Sequence, residues 1–258
     1  MLPGTRNVIG DRWHIFLEPH FDDAALSCGG TIARLVDAGA DVLVVTVFGG
    51  KPEDESVLGA FARIQHARWR LGDAVEERLR EHRSAMAVLG CAHRVLPFPD
   101  AIYRGALYQS EDALFGQVSS DECPLIGQIS RILEELHGER PRVRFYAPLT
   151  VGHHVDHQIA LAALPSAAET SLYEDFPYAA REARAVADAT ARVGAVHERD
   201  VPVGATLARR IDAIRCYASQ MGTLFGSTDR MERTVAEYAG RTGEPIERYW
   251  CRGVPPDL

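Results

Sequence analysis

Short apolar runs alternate with amphipathic stretches along the chain. Trp13 to Leu17 is an apolar run halted by Pro19, the pattern of a strand. From Asp23 to Ala38 apolar residues recur at helical spacing (Leu26, Ile32, Ala33, Leu35, Val36), and Gly39 closes the helix. Asp41 to Phe48, DVLVVTVF, is rich in β-branched residues, as in a strand buried on both faces of a parallel sheet. Strand, helix and strand within the first 48 residues form a βαβ unit. The fold class this predicts is α/β, a Rossmann-like, mostly parallel sheet with helices on both faces and ligands bound beyond the C-terminal strand ends.

Further along, Gly49 to Ser56 is a polar loop, and helical patterning covers Ala60 to Leu71 and Ala74 to Leu89. Arg94 to Pro97 predicts a short strand, Leu125 to Leu136 a helix, Val143 to Ala147 a strand, and His154 to Ala163 a helix. Ser171 to Tyr173 and Ala195 to Val201 read as strands, and Thr206 to Ser219 and Arg230 to Ala239 as helices. No repeat or Pro/Ser/Gly-rich linker divides the chain, so residues 1–258 are expected to form a single domain.

Composition narrows the function. A hydrophobic content of 46% is enough for a full core, and a net charge of −8 argues against a nucleic-acid partner or an anionic membrane surface. Five cysteines without a CxxC pair suggest neither a disulfide framework nor a cysteine-based zinc finger. There is no run long enough to cross a membrane and no leader-like N-terminus, so a soluble cytoplasmic protein is expected.

Two stretches carry chemistry. In FLEPHFDDAAL, His20, Asp22 and Asp23 follow the first strand; in APLTVGHHVDHQIA, His153, His154, Asp156 and His157 follow another. Each has a plain alternative: an Asp as helix cap, a His in a turn. Together, at one edge of one sheet, they offer His and carboxylate ligands for a divalent cation. A catalytic zinc site takes three such ligands and keeps one position open. A cation would also relieve the repulsion between Asp22 and Asp23. There is no GxGxxG at the first strand–helix turn, and two carboxylates there would repel a pyrophosphate, which argues against a dinucleotide.

PHFDDAALSCGG together with HHVDH resembles the PIG-L/LmbE-like zinc-dependent de-N-acetylases, whose pattern is PHxDD followed by HxDH. LPFPDAIYRG (Leu96 to Gly105), YEDFPYA (Tyr173 to Ala179), YASQ (Tyr217 to Gln220) and ERYW (Glu247 to Trp250) are weaker points of similarity. The resemblance implies that His20, Asp23 and His157 bind Zn2+, with Fe2+ or another divalent ion as alternatives. It implies that Asp22 is the general base, that His154 stabilises the oxyanion or protonates the leaving amine, and that Asp156 orients a histidine. The implied reaction removes an N-acetyl group from a small-molecule amino sugar or glycoconjugate. Action on another amide and sugar binding without turnover are the alternatives.

Phe21 and Ala24 stand where the common PHPDDE pattern has Pro and Glu, implying a subgroup with a different pocket. Asp100 is a candidate for sugar hydroxyls or a turn residue after Pro99, and Tyr103 and Arg104 are candidates for the pocket wall. Arg78 and Arg83, alternating with Glu77 and Glu81, predict a solvated, salt-bridged helix face. His153 is a neighbour of the site, Gly49 to Val75 a candidate lid, and the oligomeric state is left open.

Overall fold

The computed structural model describes residues 12–52, 58–69, 73–140, 142–181, 184–195 and 197–252. The first half builds β1 (Trp13–Glu18), α1 (Asp23–Asp37), β2 (Asp41–Thr46), α2 (Ala60–Trp69), α3 (Ala74–Leu89) and β3 (Ala92–Val95). Then come the short α4 (Glu111–Leu114), α5 (Cys123–Gly138), β4 (Val143–Pro148), α6 (Val155–Ala162) and β5 (Glu169–Tyr173). The last part holds α7 (Tyr178–Arg181), α8 (Ala185–Val193), β6 (His197–Pro202), α9 (Leu207–Arg215), α10 (Ala218–Leu224), α11 (Thr228–Ala239) and β7 (Ile246–Cys251).

The strands form one sheet in the order β3-β2-β1-β4-β5-β7-β6. Neighbours from β3 through β5 pair parallel, and β7 runs antiparallel between β5 and β6. This is the expected α/β class. Alternate β1 side chains feed two apolar layers: Phe16 packs on one face, Ile15 and Leu17 on the other. Among the described residues, no helix is long and apolar enough to cross a membrane.

Strand order places the site. The chain builds outward from β1 through β2 and β3, then returns to lay β4 on the other side of β1. The loops after β1 and β4 therefore part company, leaving a crevice at this switch point. His20 to Asp23 lie on one lip and Thr150 to His157 on the other.

The pair Gly29–Gly30 inside α1 has a packing cause. In an α-helix the Gly30 amide would bond the Leu26 carbonyl. Here Arg210 donates to that carbonyl, and Glu247 accepts from the amides of Gly30 and Thr31 at 2.8 Å each. A Cβ at Gly29 would come 2.8 Å from Arg210 Cγ, and one at Gly30 2.7 Å from Val203 Cβ. The buried Arg210–Glu247 pair thus ties the carboxylate-bearing helix to α9 and β7.

Several local expectations shift. The third strand occupies Ala92–Val95 rather than 94–97, and the sixth His197–Pro202 rather than 195–201. The expected helix over 206–219 is two, broken at Cys216–Tyr217. Tyr217 turns inward to share the His82 ring at 3.1 Å, while Glu81 accepts from the Ser219 amide (2.8 Å) and hydroxyl (2.6 Å). The face around Arg78 is also corrected. Arg78 is buried and the half-buried Glu81 holds Ser219, whereas Arg83 is exposed as expected and Glu77 pairs with Arg80 at 2.9 Å.

Candidate metal centre and catalytic site

Asp23 is the hub. Its Oδ2 accepts from the His20 amide at 2.8 Å and lies 3.4 Å from both His20 Nδ1 and His157 Nε2. Three ligands on a tetrahedral ion with bonds of about 2.0–2.2 Å stand about 3.3–3.6 Å apart. The far nitrogen of each ring is anchored: His20 Nε2 on Asp156 Oδ2 at 3.0 Å, His157 Nδ1 on Asp175 Oδ1 at 2.6 Å. When those nitrogens carry the protons, His20 Nδ1 and His157 Nε2 turn lone pairs toward Asp23. This is the carboxylate–histidine support usual around metal sites.

The donor set therefore fits a divalent cation. His20, His154 and Asp156 also cluster closely enough to ligate. However, Asp156 already has both oxygens engaged: Oδ1 takes Arg104 at 2.6 Å, and Oδ2 takes His20 and the Ala101 amide at 3.0 Å each. The His20–Asp23–His157 set is the one with lone pairs to spare.

Titration behaviour agrees. Burial opposes charge on His20, yet Asp100, Asp156 and Asp23 outweigh it and raise the imidazole well above its usual range. Likewise Asp23 and Asp175 raise His157 against the cost of burial. Burial works against ionised Asp23 too, but His157 and His20 hold its carboxyl far below normal. The pocket prefers positive charge at its centre.

Asp22, next along the chain, behaves differently. Burial pushes its carboxyl up, and Arg78, at 3.3 Å from Oδ1, restrains the rise. A carboxylate drawn toward neutrality beside a cation site is suited to taking a proton. His154 accepts the Asp156 amide on Nδ1 at 3.1 Å, which leaves Nε2 as its N–H. Burial, with His20 and His157 as neighbours, lowers its pKa well below normal, so it is a neutral donor.

Asp22, Asp23, His20, His154, Arg78 and Asp100 border one cavity of about 230 Å3. Asp100 lies 3.6 Å from His20 Nε2 and also caps Ile102 N at 3.1 Å, so the pocket and turn readings both describe it. Arg104 is corrected: it lies behind Asp156, bridging it to Glu122 at 2.8 Å, and does not border this cavity. Tyr103 lines a small separate cavity that also touches Arg78 and Asp100, its hydroxyl 2.6 Å from His66 Nε2. His153 borders a larger hollow, about 760 Å3, on the other flank of α6. That hollow gathers none of the ligand set. Gln65 and Arg68 of α2 line the site cavity, while residues 53–57 and 70–72 of the expected lid lie outside the described residues. Asp175, Arg78 and Phe115 are site residues that spacing alone does not reveal; Asp175 lies within YEDFPYA, the segment noted only for resemblance.

The chain is similar to several known proteins. The model of the family described as PIG-L, GlcNAc-PI de-N-acetylase, matches residues 15–168. A 2'-N-acetylparomamine deacetylase of Streptomyces fradiae is 30% identical over 249 residues, 93% of this chain and 81% of its own length. The protein of the same description from Niallia circulans is 33% identical over 189 residues, 65% of this chain and 68% of its own. Among solved structures, the zinc inhibited form of teicoplanin deacetylase Orf2 superposes with a TM-score of 0.75 at 27% identity, covering 93% of this chain and 97% of that one.

Proposed function

The chain belongs to the PIG-L family of GlcNAc-PI de-N-acetylases, and from that premise we propose that it is a metal-dependent hydrolase releasing acetate from an N-acetylated amino sugar of a small natural product. Deacetylases of paromamine and teicoplanin derivatives among its relatives support that substrate class. The observation that carries the reading is the Asp23 carboxylate 3.4 Å from two histidine nitrogens, each ring anchored from behind by a buried acid.

His20, Asp23 and His157 would hold the cation, with zinc as the first candidate. A divalent ion bound there supplies Lewis-acid polarisation of the acyl carbonyl and makes water a better nucleophile near neutral pH. Asp22 takes the proton of the attacking water and, with its pKa raised by burial, can return it to the leaving nitrogen. Neutral His154 donates Nε2–H to the oxygen that becomes negative. A neutral N–H supports oxyanion stabilisation over protonation of the leaving amine as the role of His154. Asp156 positions His20, and Arg104 holds Asp156 ionised and in place. Asp100, at the polar side of the cavity, accepts from sugar hydroxyls. The cavity is smaller than the 300–1,000 Å3 usual for drug-sized ligands, so it takes one sugar ring and leaves the aglycone at the mouth.

Metal analysis of the wild type, His157→Ala and Asp22→Ala, with acetate release from 2'-N-acetylparomamine and N-acetylglucosamine, tests this. We expect one divalent ion per chain in the wild type and in Asp22→Ala, its loss in His157→Ala, and turnover in the wild type alone. A wild-type protein that takes up no divalent ion overturns the reading.

A further inference from the structure

Tyr178 stands three residues beyond Asp175, so the backbone that anchors His157 also places this ring. The ring lies over Gly152: a Cβ there would come 3.0 Å from both Cγ and Cδ1 of Tyr178. Gly152, at φ +86°, therefore supplies both the left-handed turn and the space the ring fills. Tyr178 stands edge-on to His157 with centroids 6.3 Å apart, and to Phe115 at 6.0 Å; Phe115 in turn touches His154 at 5.3 Å. The Arg181 guanidinium covers the ring at 5.3 Å.

Three tyrosines of the core spend their hydroxyls on the protein. Tyr173 donates to the Leu17 carbonyl at 3.0 Å, Tyr146 meets His14 at 2.8 Å, and Tyr217 meets His82 at 3.1 Å. The Tyr178 hydroxyl has no hydrogen bond to a described residue, yet its side chain borders the cavity with Asp22, Asp23 and His154. A phenol hydroxyl that borders this cavity and has no protein partner among the described residues is available to a bound ligand.

We propose that the Tyr178 hydroxyl is a second donor, beside His154, to the oxygen that gains negative charge when the acyl carbon is attacked. This rests on the amide-hydrolysis reading above. Removing one donor from such a site costs about 10²–10³ in kcat.

Tyr178→Phe keeps the ring over Gly152 and removes only the hydroxyl. The decisive probe is the methylphosphonamidate of glucosamine, whose tetrahedral phosphorus carries oxygens where the attacked acyl carbon would. Calorimetry on the metal-loaded protein is expected to show at least tenfold weaker binding by Tyr178→Phe, with unchanged glucosamine affinity and metal content. On N-acetylated substrate, kcat falls by about 10²-fold and KM stays level. Analogue affinity within twofold of wild type, or a wild type that does not bind the analogue, overturns the assignment. The two readings fail separately. Weakened analogue binding with no wild-type deacetylation rejects the reaction but keeps the donor. Full deacetylation by Tyr178→Phe rejects the donor alone.

Discussion

Asp175→Asn probes the centre through a residue that touches no substrate. Asp175 serves two buried donors: Oδ1 takes His157 Nδ1–H at 2.6 Å, and Oδ2 takes the Val151 amide at 2.8 Å. An asparagine has one acceptor and one donor end. With its oxygen toward His157, its NH2 group faces the Val151 N–H; rotated, it faces His157. Either way one buried donor loses its partner, at about 1–3 kcal/mol. Replacing the ionised partner also weakens the basicity of His157. Loss of such a supporting carboxylate typically costs about 10–100-fold in metal affinity, which is about 1.4–2.7 kcal/mol. Competition against a chromophoric chelator reads this directly, and urea unfolding of the metal-free proteins separates metal loss from fold loss. Metal affinity within twofold of wild type, with the metal-free fold intact, would refute the claim that Asp175 presets His157.

Arg104→Met strands the charges of Asp156 and Glu122 in the interior and should cost about 3–5 kcal/mol in urea unfolding; an unchanged midpoint would show the pair to be idle. Gly30→Ala drives a methyl to 2.7 Å from Val203 and should cost about 1–3 kcal/mol. In contrast, Gly127→Ala, whose Cβ meets nothing within 4 Å in α5, should stabilise by about 0.5–1 kcal/mol; equal effects would contradict the packing account of Gly30. Burial, with Arg144 and Arg12 nearby, lowers His14 to about 4 from an ordinary 6.5, so the native chain holds it neutral. Between those values the unfolded chain takes up a proton that the native chain refuses, so stability falls as pH drops from 6.5 toward 4. His14→Gln should flatten that decline by on the order of 3 kcal/mol; an unchanged slope in unfolding free energy against pH would locate the acid sensitivity elsewhere.

Local pattern determined much of this protein. The apolar run of β1, the periodicity of α1 and the β-branched β2 specify a parallel sheet because each rests on short-range sterics and a single buried face. The same pattern puts His20, Asp22, Asp23, His154 and His157 at C-terminal strand ends. Which lone pairs face one another is a matter of packing across 134 positions, between Asp23 and His157. That depends on β4 returning to pair with β1, and no local signal encodes the return. The Asp175 support, the inward turn of Arg78 and the withdrawal of Arg104 behind Asp156 are tertiary decisions of the same kind. A charged residue on an amphipathic helix reads as solvated until a distant carboxylate is brought beneath it. β7 also escaped local reading, since an antiparallel strand inserted between β5 and β6 is defined by its partners. Even Gly29–Gly30, plain in the sequence, found its reason only when Arg210 and Glu247 arrived from the far end of the chain.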